Sequence, residues 1–233
     1  MTRVATRLAV LLTIFAIIGT ACGTSPGTET IRIAAASDLR FALDNIIDEY
    51  TNDNPDVDIT VSYGSSGMFV QQLLNGAPFD IYLSADRTYV DDVVDGGLAS
   101  ASDTFAYAGG RLAVWTRNDS GIDVSDGLTM LLNENVRRIA IANPAHAPYG
   151  RAAQEALDAA GVADAVRSKI VTGENIGQAA EFVASGNADV GIIALSLAVS
   201  PQLSEVGVYV EIDAGLFSPL HQAGVVLSSA GRI

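Results

Sequence analysis

The sequence holds a single cysteine, Cys22, in 233 residues, so no disulfide can form within the chain and the fold must rest on a buried core. Its two histidines, His146 and His221, lack the spacing of a metal site. Aromatic residues make up 6% of the chain, and one lysine, Lys169, stands beside twelve arginines. Basic residues are outnumbered 13 to 27 by acidic ones, a net charge of −14. Without the first 21 residues, which carry Arg3 and Arg7, eleven basic groups face 27 acidic ones and the charge is −16. That balance argues against nucleic acid or an anionic membrane surface as a partner. It leaves room for a small anion held by oriented backbone dipoles, because long-range charge is screened within about 10 Å. No Walker-type loop, paired-carboxylate pattern or internal repeat stands out. Gly64-Ser65-Ser66-Gly67 is not the Gly-x-Ser-x-Gly turn of a hydrolase, so a secreted hydrolase remains only as the alternative of a different class.

One long apolar run is present, Leu8 to Ile18, broken only by Thr13. It is short for a membrane span. Behind Arg3 and Arg7 and ahead of Gly19-Thr20-Ala21-Cys22, it has the three parts of a secretory signal. Residues 1–21 are therefore expected to be a signal peptide. Gly-Thr-Ala-Cys resembles a bacterial lipobox, with Gly19 where Leu is commoner. Cys22 is the expected lipidation site, against an ordinary secreted protein with an incidental cysteine or an uncleaved anchor. Residues 22–30, rich in Gly, Ser, Thr and Pro, read as a flexible tether.

From Ile31 onward short strands alternate with helices, as in an open α/β sheet. Ile31–Ala36 reads as a buried strand, and apolar positions 39, 42, 43, 46, 47 and 50 mark a helix that stops at Asn54-Pro55. Val57–Val61 is a strand, Met68–Leu74 a helix, Phe79–Leu83 a strand, and a helix runs from Ser84-Ala85-Asp86 to about Val94. Thr104–Ala108 and Arg111–Trp115 are strands around Gly109-Gly110, the expected crossing into a second lobe. Ser125–Leu132 reads as a short helix, Arg138–Ala142 as a strand, Arg151–Ala160 as a helix, Val162–Val166 as a helical turn, and Lys169–Val171 as a strand. Ile176–Ala184 is a helix, and Asp189–Ala194, Glu205–Glu211 and Gln222–Leu227 are the last strands. The domain division expected from this is 31–108 for the first lobe, 109–197 for the second and 198–233 for a return to the first.

At four places a strand ends and a helix opens: Ser37, Ser66, Tyr149 and Ile176. The first N–H groups of a helix have no internal partner, and the helix dipole is positive there. Strand carboxyl ends are also where open α/β sheets bind ligands. Two switches precede the crossing and two follow it, so a cleft between lobes can offer hydroxyl and N–H donors from both sides to one tetrahedral dianion. Bonds to a charged group contribute roughly 1.5–3 kcal/mol each, and each helix terminus roughly 0.3–1 kcal/mol. Each element has a plainer explanation. Ser37 or Ser66 can be an N-cap, Pro148 is a common helix start, Tyr149 can be a packed aromatic, Asn175 a cap and Glu174 a first-turn acid. Arg40 and Arg151 fit solvated surface positions as well as an anion.

The order of these motifs resembles the periplasmic molybdate-binding proteins of ABC importers. The resemblance runs through Ala34-Ala35-Ala36-Ser37-Asp38-Leu39, Gly64-Ser65-Ser66-Gly67, residues 76–86, residues 143–150, Gly173-Glu174-Asn175-Ile176 and residues 186–196. It implies an α/β, two-lobed type II periplasmic-binding-protein fold, each lobe a mixed sheet flanked by helices, with the ligand in the inter-lobe cleft. The implied function is that of an extracytoplasmic lipoprotein, monomeric and non-enzymatic. It would capture molybdate or tungstate without cofactor or metal ligand and deliver it to a membrane permease, with sulfate or phosphate as the runner-up anions. Carried over by position, Ser37 and Ser66 supply hydroxyls, and Tyr149 and Ile176 supply backbone N–H groups. Where some members place a tyrosine donor this chain has Ala194, leaving Tyr149 or water to replace it. Asp38 is expected to point away from the site. Family members usually continue for some thirty residues beyond the final strand, so an exposed apolar patch on the first lobe is a further expectation.

Overall fold

The alternation of apolar strands and helices becomes two five-stranded sheets in the computed structural model, which describes residues 29–230. The first sheet contains β1 (Glu29–Ala36), β2 (Val57–Gly64), β3 (Ile81–Ser84), β4 (Thr104–Gly110) and β10 (Leu220–Val226), in the order β2-β1-β3-β10-β4. The second contains β5 (Leu112–Arg117), β6 (Ile139–Ala142), β7 (Ile170–Gly173), β8 (Val190–Ala194) and β9 (Gly207–Glu211), in the order β7-β6-β8-β5-β9. Each sheet is built the same way: three parallel strands, then an antiparallel strand from the other end of the chain's path, then an edge strand.

Each parallel strand is followed by one or two helices. In the first lobe these are α1 (Arg40–Asp53), α2 (Ser66–Leu74) and α3 (Arg87–Asp95). In the second they are α4 (Pro148–Ala159), α5 (Ala163–Val166), α6 (Ile176–Ala184), α7 (Leu195–Ala198) and α8 (Pro201–Ser204). β5, β6 and β8 are almost continuously apolar because both faces of their sheet are covered. Trp115, Leu112, Ile139, Ile192 and Leu157 fill that core.

The first sheet is covered unevenly. Phe69, Val70, Leu73, Val90 and Val93 of α2 and α3 bury one face with Tyr82 and Val225. The other face, with Ile31, Ile33 and Ala35 at its centre, leaves Ile59, Val61, Ile81 and Leu83 only partly buried. Its helix α1 buries no residue completely, and Ile46 and Tyr50 are 61% and 47% exposed.

Three boundaries differ from the sequence reading. β9 pairs with β5, so the chain stays in the second sheet through Glu211 and does not return at residue 198. Gly109 and Gly110 are not yet across: they end β4, where Gly110 pairs with Leu220. Residues 127–132 form a 3-10 segment in place of an α-helix over Ser125–Leu132, with Leu128, Met130 and Leu131 buried. The signal peptide and Cys22 lie outside the described residues.

Candidate functional site

All four switches sit at carboxyl ends of parallel strands and face one cavity. β1 runs into a 3-10 turn, Ser37–Leu39, ahead of α1, and β2 runs into α2. Across the cleft β6 leads to α4 and β7 to α6. Ser37, Ser66, Tyr149 and Ile176 line the same cavity, of about 10 Å³, which is roughly the space one water-sized sphere needs.

The hydrogen bonds decide what the two serines do. Neither caps a helix with its side chain: the cap of α2 is Ser65, whose Oγ accepts from the Met68 N–H at 3.4 Å, and Ala36 precedes the 3-10 turn without a side-chain bond. The Ser37 Oγ accepts from the Gly177 N–H at 3.0 Å, and the Ser66 Oγ accepts from the Ala85 N–H at 3.0 Å. Each oxygen already has a donor, so the hydroxyl proton remains to be given. Both serines are buried, 2% and 1% exposed. On the other side, the N–H groups of Tyr149 and Ile176 have no acceptor among the described residues, while Asn175 caps α6 through the Gln178 N–H at 3.0 Å. Two hydroxyls and two N–H groups, with three helix N-termini behind them, make a field that favours negative charge.

The two arginines weighed as anion contacts are engaged with other groups. Arg151 pairs with Asp86 across the cleft, and the Arg40 guanidinium lies 5.3 Å from the centre of the Tyr63 ring. His146 also bridges the lobes: its Nδ1 is 2.7 Å from the Ser65 Oγ, its carbonyl accepts from the Gly67 N–H at 2.9 Å, and its Nε2 is 3.7 Å from Glu174.

Two expectations need correction. The Tyr149 hydroxyl does not replace the donor missing at Ala194; it donates to the Asp38 Oδ2 at 3.1 Å and accepts from Gln222 at 2.9 Å. Ala194 itself ends β8, fully buried. Asp38 does not turn away to solvent as a first-turn acid would. It is buried in the cavity wall, its Oδ2 also accepts from the Gln222 Nε2 at 2.7 Å, and its backbone carbonyl accepts from the Ser196 hydroxyl at 2.9 Å. Burial pushes its carboxyl up to about 6, with the Gln222 and Tyr149 bonds pulling the other way. Burial, with the Asp38 charge next in size, raises the Tyr149 hydroxyl well above its ordinary value. Sequence reasoning missed Gln222 and misjudged the direction of Asp38, because the partners of Asp38 lie 111 and 184 residues away in the chain.

Residues 31–233 match the family model described as bacterial extracellular solute-binding protein. The chain belongs to that family. It is 34% identical to the molybdate-binding protein ModA of Azotobacter vinelandii over 198 residues, 85% of this chain and 77% of that protein. It is 36% identical to the ModA of Rhodobacter capsulatus over 174 residues, 75% and 67% of the two chains. The solved periplasmic molybdate-binding protein of Azotobacter vinelandii superposes with a TM-score of 0.80 at 29% identity, covering 87% of each chain. This solute-binding protein therefore has the two-lobed type II periplasmic-binding fold, works outside the cytoplasm and is not an enzyme.

Proposed function

We propose that this solute-binding protein captures molybdate or tungstate outside the cytoplasm and delivers it to the permease of an ABC transporter. The observation that carries the reading is the donor set. The Ser37 and Ser66 hydroxyls each accept one backbone N–H, and the Tyr149 and Ile176 N–H groups are open, around one shared cavity. These four would hold the oxygen atoms of the anion, and no residue would ligate the molybdenum. The similarity to two molybdate-binding proteins supports the choice of anion. Cys22, after Gly19-Thr20-Ala21, would carry the lipid that tethers the protein to the membrane. Labelling of the expressed protein with a radioactive fatty acid, lost in Cys22→Ser, tests that anchor.

A second reading has its own observation. Asp38 in the cavity wall could take the proton of a hydrogenphosphate ion, which a purely donating site would reject. Calorimetry of the mature protein with molybdate, tungstate, sulfate and phosphate separates the two. Tight binding of molybdate and tungstate supports the first reading. Tight binding of phosphate or sulfate with none of molybdate overturns it.

A further inference from the structure

The Asp38 carboxyl is lopsided. Its Oδ2 accepts two hydrogen bonds, from Tyr149 and Gln222. Its Oδ1 is buried and has no partner among the described residues. A buried oxygen without a partner is costly, and here it belongs to a residue of the cavity wall, next to Ser37 in the chain. With Oδ2 filled by donors, a proton on this carboxyl belongs on Oδ1, where it needs an acceptor. Nothing among the described residues supplies one.

We propose that Asp38 receives the oxyanion as a neutral acid, donating from Oδ1, so that each molybdate captured takes one proton up from solution. The inference rests on the function proposed above and adds the carboxyl as a fifth donor. The balance is simple: a proton from water bonds to Oδ1, no bond in the anion breaks, and the site holds two negative charges in place of three. An ionised Asp38 would put a carboxylate against a dianion in a water-poor cavity, where like charges repel strongly. A carboxylic acid kept neutral by an apolar site is a known form of oxyanion donor. The carboxyl is already poised for this before any anion arrives, since burial outweighs the hydrogen bonds from Gln222 and Tyr149 and leaves it raised to about 6.

The surroundings offer no other remedy. From α4 the group facing Asp38 is the Tyr149 hydroxyl, from β10 Gln222, and from α7 the Ser196 hydroxyl, which goes to the backbone carbonyl. Tyr107 of β4 lies near enough to feel the Asp38 charge, and its hydroxyl donates to the Ser84 carbonyl at 2.8 Å. Tyr82 of β3 donates to the Ser66 carbonyl. The charged side chains of the adjoining elements are engaged with other groups: Arg151 with Asp86, Arg40 on the Tyr63 ring, and His146 with Ser65 and Glu174. No cation bonds to Asp38 among the described residues.

The test is molybdate calorimetry from pH 6 to pH 8 in pairs of buffers with different ionisation enthalpies. The unmodified protein should take up close to one proton per anion at pH 8, with affinity falling toward tenfold per pH unit above pH 7. Asp38→Asn, which keeps a donor and an acceptor in place of the neutral acid, should take up none and show a flat profile, so that at pH 8 it binds more tightly than the unmodified protein. His146→Gln should leave the uptake intact, which excludes the cleft histidine as the source of the effect. A flat profile without proton uptake in the unmodified protein overturns the inference and leaves the proposed function standing. So does uptake that survives Asp38→Asn, or uptake that His146→Gln removes. Absence of molybdate binding at every pH overturns the function and this inference together.

Discussion

The Ser37 hydroxyl oxygen accepts the Gly177 N–H at 3.0 Å, joining the first turn of one lobe to the first helical turn opposite. The contact closes the cleft and orients a donor at once, because it uses the oxygen and frees the proton. Ser66 is held in the same way from within its own lobe, by Ala85. Each serine oxygen thus already holds one backbone N–H, and the site's affinity should depend on the one hydroxyl proton each serine has left to give.

Ser37→Ala and Ser66→Ala should each weaken molybdate binding by roughly 1–3 kcal/mol, read by calorimetry at pH 6. Ser37→Ala also strips the Gly177 N–H of its acceptor, so it should additionally lower closure of the empty protein, seen as a larger radius of gyration in solution scattering. Unchanged affinity in both variants would remove the hydroxyls from the site.

Gly67 tests closure from the opposite wall. A Cβ at this position would lie 2.8 Å from the His146 carbonyl oxygen, a backbone atom of the other lobe. Gly67→Ala should hold the lobes apart and weaken anion binding by roughly 1–3 kcal/mol, the usual cost of overpacking. The lobes themselves should keep their unfolding temperature, and a variant that binds like the parent would show that the cleft closes without this contact.

Asp38 should leave a mark on stability in the absence of any anion. Folded, the carboxyl keeps its proton up to about pH 6, while the ordinary value for an exposed Asp is 3.8. Between those values the folded state binds more protons than the unfolded one, so stability falls as pH rises from about 4 to about 6. The contribution is fully present below that window and lost above it, and a shift of this size corresponds to about 3 kcal/mol. Urea unfolding of the parent and Asp38→Asn at pH 4, 5, 6 and 7 isolates it, since every other carboxylate is common to the two proteins.

Asp80 should act with the opposite sign. Its carboxylate accepts from the Arg32 backbone N–H at 2.8 Å and from the guanidinium at 3.0 Å through both oxygens. The Arg32 hydrogen bond holds it below the usual carboxylate range. Its contribution is therefore present at neutral pH and lost as pH falls through that lowered value. Asp80→Asn should cost stability at pH 7 and close the gap with the parent in strong acid, and a gap that persists there would assign the loss to packing.

Much of this was legible from local chemistry. Strand-to-helix switches declare themselves in short windows, so Ser37, Ser66, Tyr149 and Ile176 could be named before their meeting was seen. Which serine caps α2 could not, because Ser65 and Ser66 are chemically alike and only geometry assigns the cap to Ser65. β9 was given to the wrong lobe because an alternating strand carries no label for the sheet it joins. The Asp38–Tyr149–Gln222 triangle was hidden for a related reason: an acid one residue into a helix reads as dipole compensation, and only the fold brings β10 back beside it.

The two links between the lobes run side by side. Gly110 pairs with Leu220 at one end, the Ile212 N–H reaches the Leu112 carbonyl at 2.9 Å at the other, and Arg111 is tied to Glu211 between them. Paired strands of this kind resist shear and stretch far more than bending. A hinge confined to these two crossings would leave the angle between the lobes as the one coordinate that opens the cleft.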